Sequence, residues 1–194
     1  MKKTKISNLA SFLYEVGSLR KMPRAHMQTL LTSDLSDNIA SHSYRVTMIG
    51  MQLAELEKAD VNKVVKMCLL HDIAESRSGD QNWIHKKYVK VFEDEIAKDQ
   101  MQSLPDEKGL LRIISEYNKR ESLEAKIAKD ADLIDQVLLL KEHEWGGNKE
   151  ASSWLFDKKT GKKLFTKSAR KLVKEIIKQD PSDWWRDIWT DQRR

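Results

Sequence analysis

Residues 60–80 read DVNKVVKMCLLHDIAESRSGD. Asp60 is a residue type suited to capping a helix N-terminus. Val64, Val65, Cys68 and Leu69 then recur at helical spacing, which predicts a helix from about 61 to 75. Ser76-Arg77-Ser78-Gly79-Asp80 is a polar loop with a helix-stopping glycine. The end of this helix carries His71 and Asp72, and Glu75 stands four residues after His71, on the same helical face.

Two further helical patterns hold residues of the same chemistry. In residues 38–58, His42, Val46, Ile49 and Leu53 repeat at steps of four, three and four. His42 therefore belongs to an apolar stripe and points inward. In residues 122–143, Leu123, Ile127, Ile134 and Leu138 share one side, with Ala125, Ala128 and Asp132 on a neighbouring stripe of small residues. Other helices are predicted around Ile6–Val16, at 86–101, 106–118 and 167–179. A short hairpin is expected between about 153 and 165, turning at Lys159-Thr160-Gly161. The fold class predicted is all-α, a helical bundle.

The chain has 194 residues, enough for one compact domain. Seven Gly and three Pro disfavour a turn-rich β-sandwich. The single cysteine, Cys68, excludes an internal disulfide and suits a reducing compartment; its apolar neighbours make it a buried small hydrophobe. The basic start MKKTKISNLASFLYEV lacks the unbroken apolar run of a signal peptide, and no stretch is apolar for long enough to span a bilayer. A cytoplasmic protein is expected. The net charge of +5 suits an anionic ligand such as a phosphate ester. Residues 158–178 hold nine Lys or Arg and one acid, Glu175, read as a solvated helix face.

Two histidines and two aspartates supply nitrogen and oxygen donors suited to a divalent cation. Each piece has a plainer explanation. A histidine on an apolar face is usually a hydrogen-bonded core residue, an adjacent His-Asp pair arises by chance, and an aspartate in a helix often faces water. Their joint order and spacing carry the weight. His26, His85 and His143 have no partners at such spacing and are expected on the surface. Trp184, Trp185 and Trp189 are expected to pack or to form an interface.

The segments Ser41-His42-Ser43-Tyr44-Arg45, Leu70-His71-Asp72-Ile73-Ala74-Glu75, Gly79-Asp80 and Ala125-Lys126 with Lys129-Asp130-Ala131-Asp132 resemble the HD-domain metal-dependent phosphohydrolases. They look most like the 5′-deoxynucleotidase branch. Leu19-Arg20-Lys21-Met22-Pro23-Arg24 resembles the segment before the first histidine in that branch, and Asp180–Trp185 the tails of some bacterial members. The resemblance covers residues 9–140 firmly and the rest more loosely. It implies a single HD domain over 1–194, with a core of about 9–143 and an extension of 144–194 packed on it. It implies one buried metal site held by His42, His71, Asp72 and Asp132, with Asp130 outside the ligand set, either behind it or exposed. The ion would be Co, Mn, Zn or Fe.

Glu75 would then position or deprotonate water, or protonate the leaving alkoxide. Asp80 would contact the sugar or the attacking water; a turn aspartate is its plainer reading. Lys21, Arg24 and Arg45 are the candidates for phosphate recognition. The chain departs from the better-known bacterial pattern where Lys21-Met22 replaces an Arg-Trp pair. The function implied is hydrolysis of nucleoside 5′-monophosphates, deoxynucleotides among them, by a homodimer. Alternatives are the same centre acting on a nucleoside triphosphate or on a cyclic or modified nucleotide, or a nucleic-acid-binding or regulatory module that keeps the fold.

Overall fold

The computed structural model describes residues 4–155, 163–186 and 188. Among these there is no strand; Pro23 and Asn38 form an isolated bridge. The helices are α1 (Lys5–Ser18), α2 (Met27–Leu30), α3 (Ile39–Glu57), α4 (Val61–Leu70), α5 (Glu75–Ser78), α6 (Trp83–Tyr88), α7 (Glu93–Met101), α8 (Glu107–Lys119), α9 (Leu123–Trp145), α10 (Lys149–Leu155), α11 (Lys167–Lys178) and α12 (Asp183–Arg186), with a 3-10 turn at Leu19–Lys21.

Local chemistry sets the boundaries that matter to the site. Asn38 and Ser41 form a reciprocal capping box at the start of α3, one turn before His42. Asp60 caps α4 by accepting from the Lys63 amide, and Ser122 caps α9 by accepting from the Ala125 amide. The expected helix over 61–75 is interrupted. It ends at Leu70, residues 71–74 are turns, and α5 begins at Glu75. The expected helix over 86–101 is likewise two, α6 and α7, parted by a break over 89–92, where two valines and a phenylalanine lower helix propensity.

Helix α9 is the axis, in contact with α3, α4, α8, α10 and α11. Leu53, Val64, Met67, Ile127 and Ile134 are fully buried in the largest core cluster. Burial of each such side chain contributes about 1.5–3 kcal/mol. Gly50 permits the close approach of α3 and α4: a Cβ there would lie 2.5 Å from Cys68 Sγ and 3.1 Å from Val64 Cγ1. The same cluster takes in Ala151 and Leu155 of α10 and Leu164, Ala169 and Val173 further on.

Three expectations are corrected here. Trp154 and Leu155, read as one arm of a hairpin, continue α10, because Ala151 and Leu155 at i and i+4 share its buried face; residues 156–162 lie outside the described residues. Asp130 is neither near the cluster described below nor exposed. It is fully buried and accepts hydrogen bonds from the Phe165 amide (2.7 Å), the Thr166 amide (2.8 Å) and the Thr166 hydroxyl (2.7 Å), clamping the start of α11 to α9. His26 is buried, with Nε2 3.1 Å from Asp37 Oδ2. Trp184 and Trp185 are exposed, and Trp189 lies outside the described residues.

Candidate metal centre and substrate cavity

The fold brings four sequence-distant side chains to one point. His42 comes from the second turn of α3, His71 and Asp72 from the turn that ends α4, and Asp132 from α9. His42 Nε2 lies 3.2 Å from His71 Nε2, 3.3 Å from Asp72 Oδ2 and 3.4 Å from Asp132 Oδ1. His71 Nε2 lies 3.1 Å from Asp72 Oδ2 and 4.0 Å from Asp132 Oδ1. His42, His71 and Asp72 form a group able to hold a metal ion.

The remaining hydrogen bonds fix how the imidazoles are protonated. His71 Nδ1 is 2.8 Å from the Cys68 carbonyl oxygen, which can only accept, so Nδ1 carries the proton and Nε2 presents a lone pair. His42 Nδ1 is 2.6 Å from Asp135 Oδ2, which fixes the same tautomer. Two nitrogen lone pairs and two carboxylates thus converge. Such a set calls for a cation at its centre. Donors held at about 2.1 Å from one ion in tetrahedral or octahedral geometry are about 3.0–3.4 Å apart, the spacing most of these atoms show. The residues fit a divalent metal.

Asp135 is absent from the sequence expectations, being one polar position on a helix with a largely apolar buried face. Its other oxygen accepts from Arg45 Nε at 2.5 Å, and Arg45 Nη1 donates to Glu142 Oε1 at 2.5 Å. A signal was present: His42 and Arg45 are three apart on α3, and Asp132 and Asp135 three apart on α9, so the two pairs face each other in register. Arg45 is committed to these carboxylates and stands outside the cavity wall. Lys21 is exposed on the 3-10 turn and is not in the wall either.

A cavity of about 460 Å³ opens over the cluster. His71, Asp72, Glu75 and Asp132 line its floor, and Arg24, Asp80, Trp83, Lys86, Arg120, Lys129 and Lys163 are among the residues of its walls. Arg24 is 3.6 Å from Asp72 and 3.4 Å from Asp80, and its Nε and Nη1 have no hydrogen-bond partner. Burial opposes its charge, but Asp72 and Asp80 raise its pKa further. Asp80 Oδ2 accepts from the Ala25 amide at 2.7 Å, anchoring the loop that carries Arg24. Lys129 donates to Asp132 at 2.5 Å. The carboxyl of Glu75 is pushed up to about 9, first by burial and then by the charges of Asp72 and Asp80. Its Oε2 is buried with no hydrogen-bond partner.

Comparison with known proteins agrees with this architecture. A family model described as HD domain matches residues 16–174. A 5′-deoxynucleotidase HDDC2 of Dictyostelium discoideum is 28% identical over 152 residues, covering 72% of this chain and 79% of that protein. A conserved hypothetical protein from Pyrococcus furiosus superposes with a TM-score of 0.73 at 26% identity, covering 88% of this chain and 99% of that one. A predicted metal-dependent phosphohydrolase from Magnetospirillum magnetotacticum shares the fold, with a TM-score of 0.68 at 23% identity over 90% of this chain and 91% of that one. With the family model spanning both histidines and every carboxylate of the cluster, the chain belongs to the HD domain family.

Proposed function

We propose that this protein is a metal-dependent phosphohydrolase that cleaves nucleoside 5′-monophosphates, deoxyribonucleotides among them, to nucleoside and phosphate. The observation that carries the reading is the meeting of two imidazole lone pairs with two carboxylates on the floor of a cavity walled by cations. In this reading His42, His71, Asp72 and Asp132 hold one divalent ion, Co²⁺, Mn²⁺, Zn²⁺ or Fe²⁺. When bound, such an ion polarises a phosphoryl oxygen and lowers the pKa of water.

The chain's own residues supply the rest. Arg24 offers donors without partners and a fixed positive charge to the phosphate dianion. Asp80 holds the Arg24 loop against the cavity and remains within reach of a bound sugar. Glu75 lines the cavity floor beside Asp72, and its Oε2 is buried with no hydrogen-bond partner. It is the group to protonate the departing 5′-oxygen, which would otherwise leave as a strong base. Arg45 and Lys21 have no direct part.

The reading extends to one domain over 1–194, with the segment 144–194 packed on a core of about 9–143, acting as a cytoplasmic homodimer. Among the described residues, no helix is long and apolar enough to cross a membrane. A second substrate class has a specific observation in its favour: Lys86, Arg120 and Lys163 add wall charge beyond one phosphate's need, which suits a triphosphate. Metal analysis of the purified protein, followed by phosphate release from mono-, tri- and cyclic nucleotides with several divalent ions, separates these. Orthophosphate from monophosphates supports the reading, and an inert metal-loaded protein sinks it.

A further inference from the structure

The cavity has a charged floor and one exposed aromatic face in its wall. Trp83 opens α6, lines the cavity and remains 65% exposed. The other aromatic rings of the lining are Tyr117, His26 and His71; Tyr117 and His26 are buried, and His71 belongs to the metal cluster. The start of the helix that carries the indole is held in place by the residue before it. Asn82 accepts from the Ile84 amide (3.0 Å) and the His85 amide (3.1 Å), capping α6. Its side-chain amide donates to the Ala25 carbonyl and to Gln28 Oε1, both at 3.0 Å. Ala25 follows Arg24 and donates its amide to Asp80. The phosphate-facing arginine, the Gly-Asp loop and the indole are therefore parts of one hydrogen-bonded frame. Lys163, another residue of the cavity lining, has its Nζ 5.3 Å from the Trp83 ring centroid, so a cation stands beside the exposed indole.

We propose that the nucleobase stacks on Trp83, making Trp83 the specificity-determining residue that separates nucleotides from bare sugar phosphates. The inference rests on the nucleotide reading above and deepens it. With the phosphate drawn to Arg24 and the floor, the base is the part of the substrate left to extend along the wall. Every base has a flat π face, so this contact favours having a base without selecting one. The enzyme is tolerant of base identity, with purines ahead of pyrimidines because their stacked area is larger. Met22 cannot supply this surface, and Trp83 approaches the same cavity from a different element.

The test measures kcat and KM for deoxyadenosine 5′-monophosphate and for deoxyribose 5-phosphate, in the metal-loaded wild type, W83A and W83F. The ratio of kcat/KM for nucleotide over sugar phosphate is expected to fall about 5- to 100-fold in W83A, mainly through KM, and to return to within about threefold in W83F. Calorimetric binding of the nucleotide to E75Q is expected to weaken by the same factor when W83A is added. A ratio that does not move, including an equal fall on both substrates, overturns the assignment. So does a wild type that accepts the sugar phosphate and ignores the nucleotide. A wild type that releases phosphate from neither removes the nucleotide reading, and this inference with it.

Discussion

The molecule has two differently built sides. On one side α3, α4 and α9 form the large core, and His42, the last turn of α4 and Asp132 grow out of side chains with almost no exposure. On the other side α1, α5, α7 and α8 close around a much smaller cluster, with Ile73, Met101 and Leu104 as its buried members. That side is fastened largely by polar contacts. Glu15 of α1 accepts from Arg77 at 2.7 Å and 2.9 Å, from Ser76 at 3.0 Å and from Gln100 at 2.6 Å. The candidate cation ligands thus sit on the heavily packed side, while Glu75 stands where that side meets the polar one. Geometry that must be held within tenths of an ångström is placed where packing is densest. The candidate acid, Glu75, opens α5 on the lighter side.

The largest effects test this division directly. His71→Ala or Asp72→Ala removes a donor from the dense side and is expected to abolish bound metal and turnover together, read by metal analysis and phosphate release. Glu75→Ala should leave the metal content near stoichiometric and lower kcat by about 10²–10⁴-fold. Loss of metal in the Glu75 variant would merge the two sides into one functional unit and remove the contrast. Near-native turnover would withdraw the acid assignment.

Asp135→Asn sharpens the comparison within the dense side. The substitution keeps the shape of the side chain but takes the charge from behind His42 and leaves Arg45 facing a neutral amide. Metal affinity, titrated with a competing chelator, is expected to fall about 10- to 100-fold. His71, oriented by the neutral Cys68 carbonyl, provides the internal contrast. An unchanged affinity would mean that the carboxylate serves only the packing of α3 on α9.

Legibility followed the same division. The convergence of His42, His71, Asp72 and Asp132 could be read because ligand chemistry restricts residue type and the helical period reveals which face each occupies. The all-α class followed from the same periodicity. Asp135 escaped because an aspartate between Ile134 and Val137 looks like an interruption in a core stripe until its partner helix is known. Asp130 is hard to read for the mirror reason: its partners, the amides of Phe165 and Thr166, lie 35 and 36 residues away and leave no periodic trace. Arg45 looked like a phosphate ligand because sequence shows its charge but not the two carboxylates that neutralise it. The rim of the cavity was hardest to read. Trp83 follows turn residues, and Lys163 reaches it from a remote segment.

The smallest effect expected concerns the fastening of that lighter side. The hydrogen bond from Arg77, outweighing burial and assisted by Gln100 and Ser76, lowers the Glu15 carboxyl from its usual 4.5 to about 2. A depressed carboxylate stabilises the folded state fully above its unfolded pKa, and this contribution disappears as pH falls from about 4.5 towards 2. Glu15→Gln removes the dependence, so the variant should lose about 1 kcal/mol at neutral pH, kept small by the solvent contact of Arg77, and nothing near pH 2. The difference between the two melting curves isolates Glu15, since Asp72 and Asp132 titrate identically in both proteins. Hydrogen exchange should quicken in α1 and α5 while α3, α4 and α9 keep their protection. If the difference were the same at pH 2 as at pH 7, or if protection fell equally on both sides, the two sides would be one cooperative unit and the contrast between them would be one of composition alone.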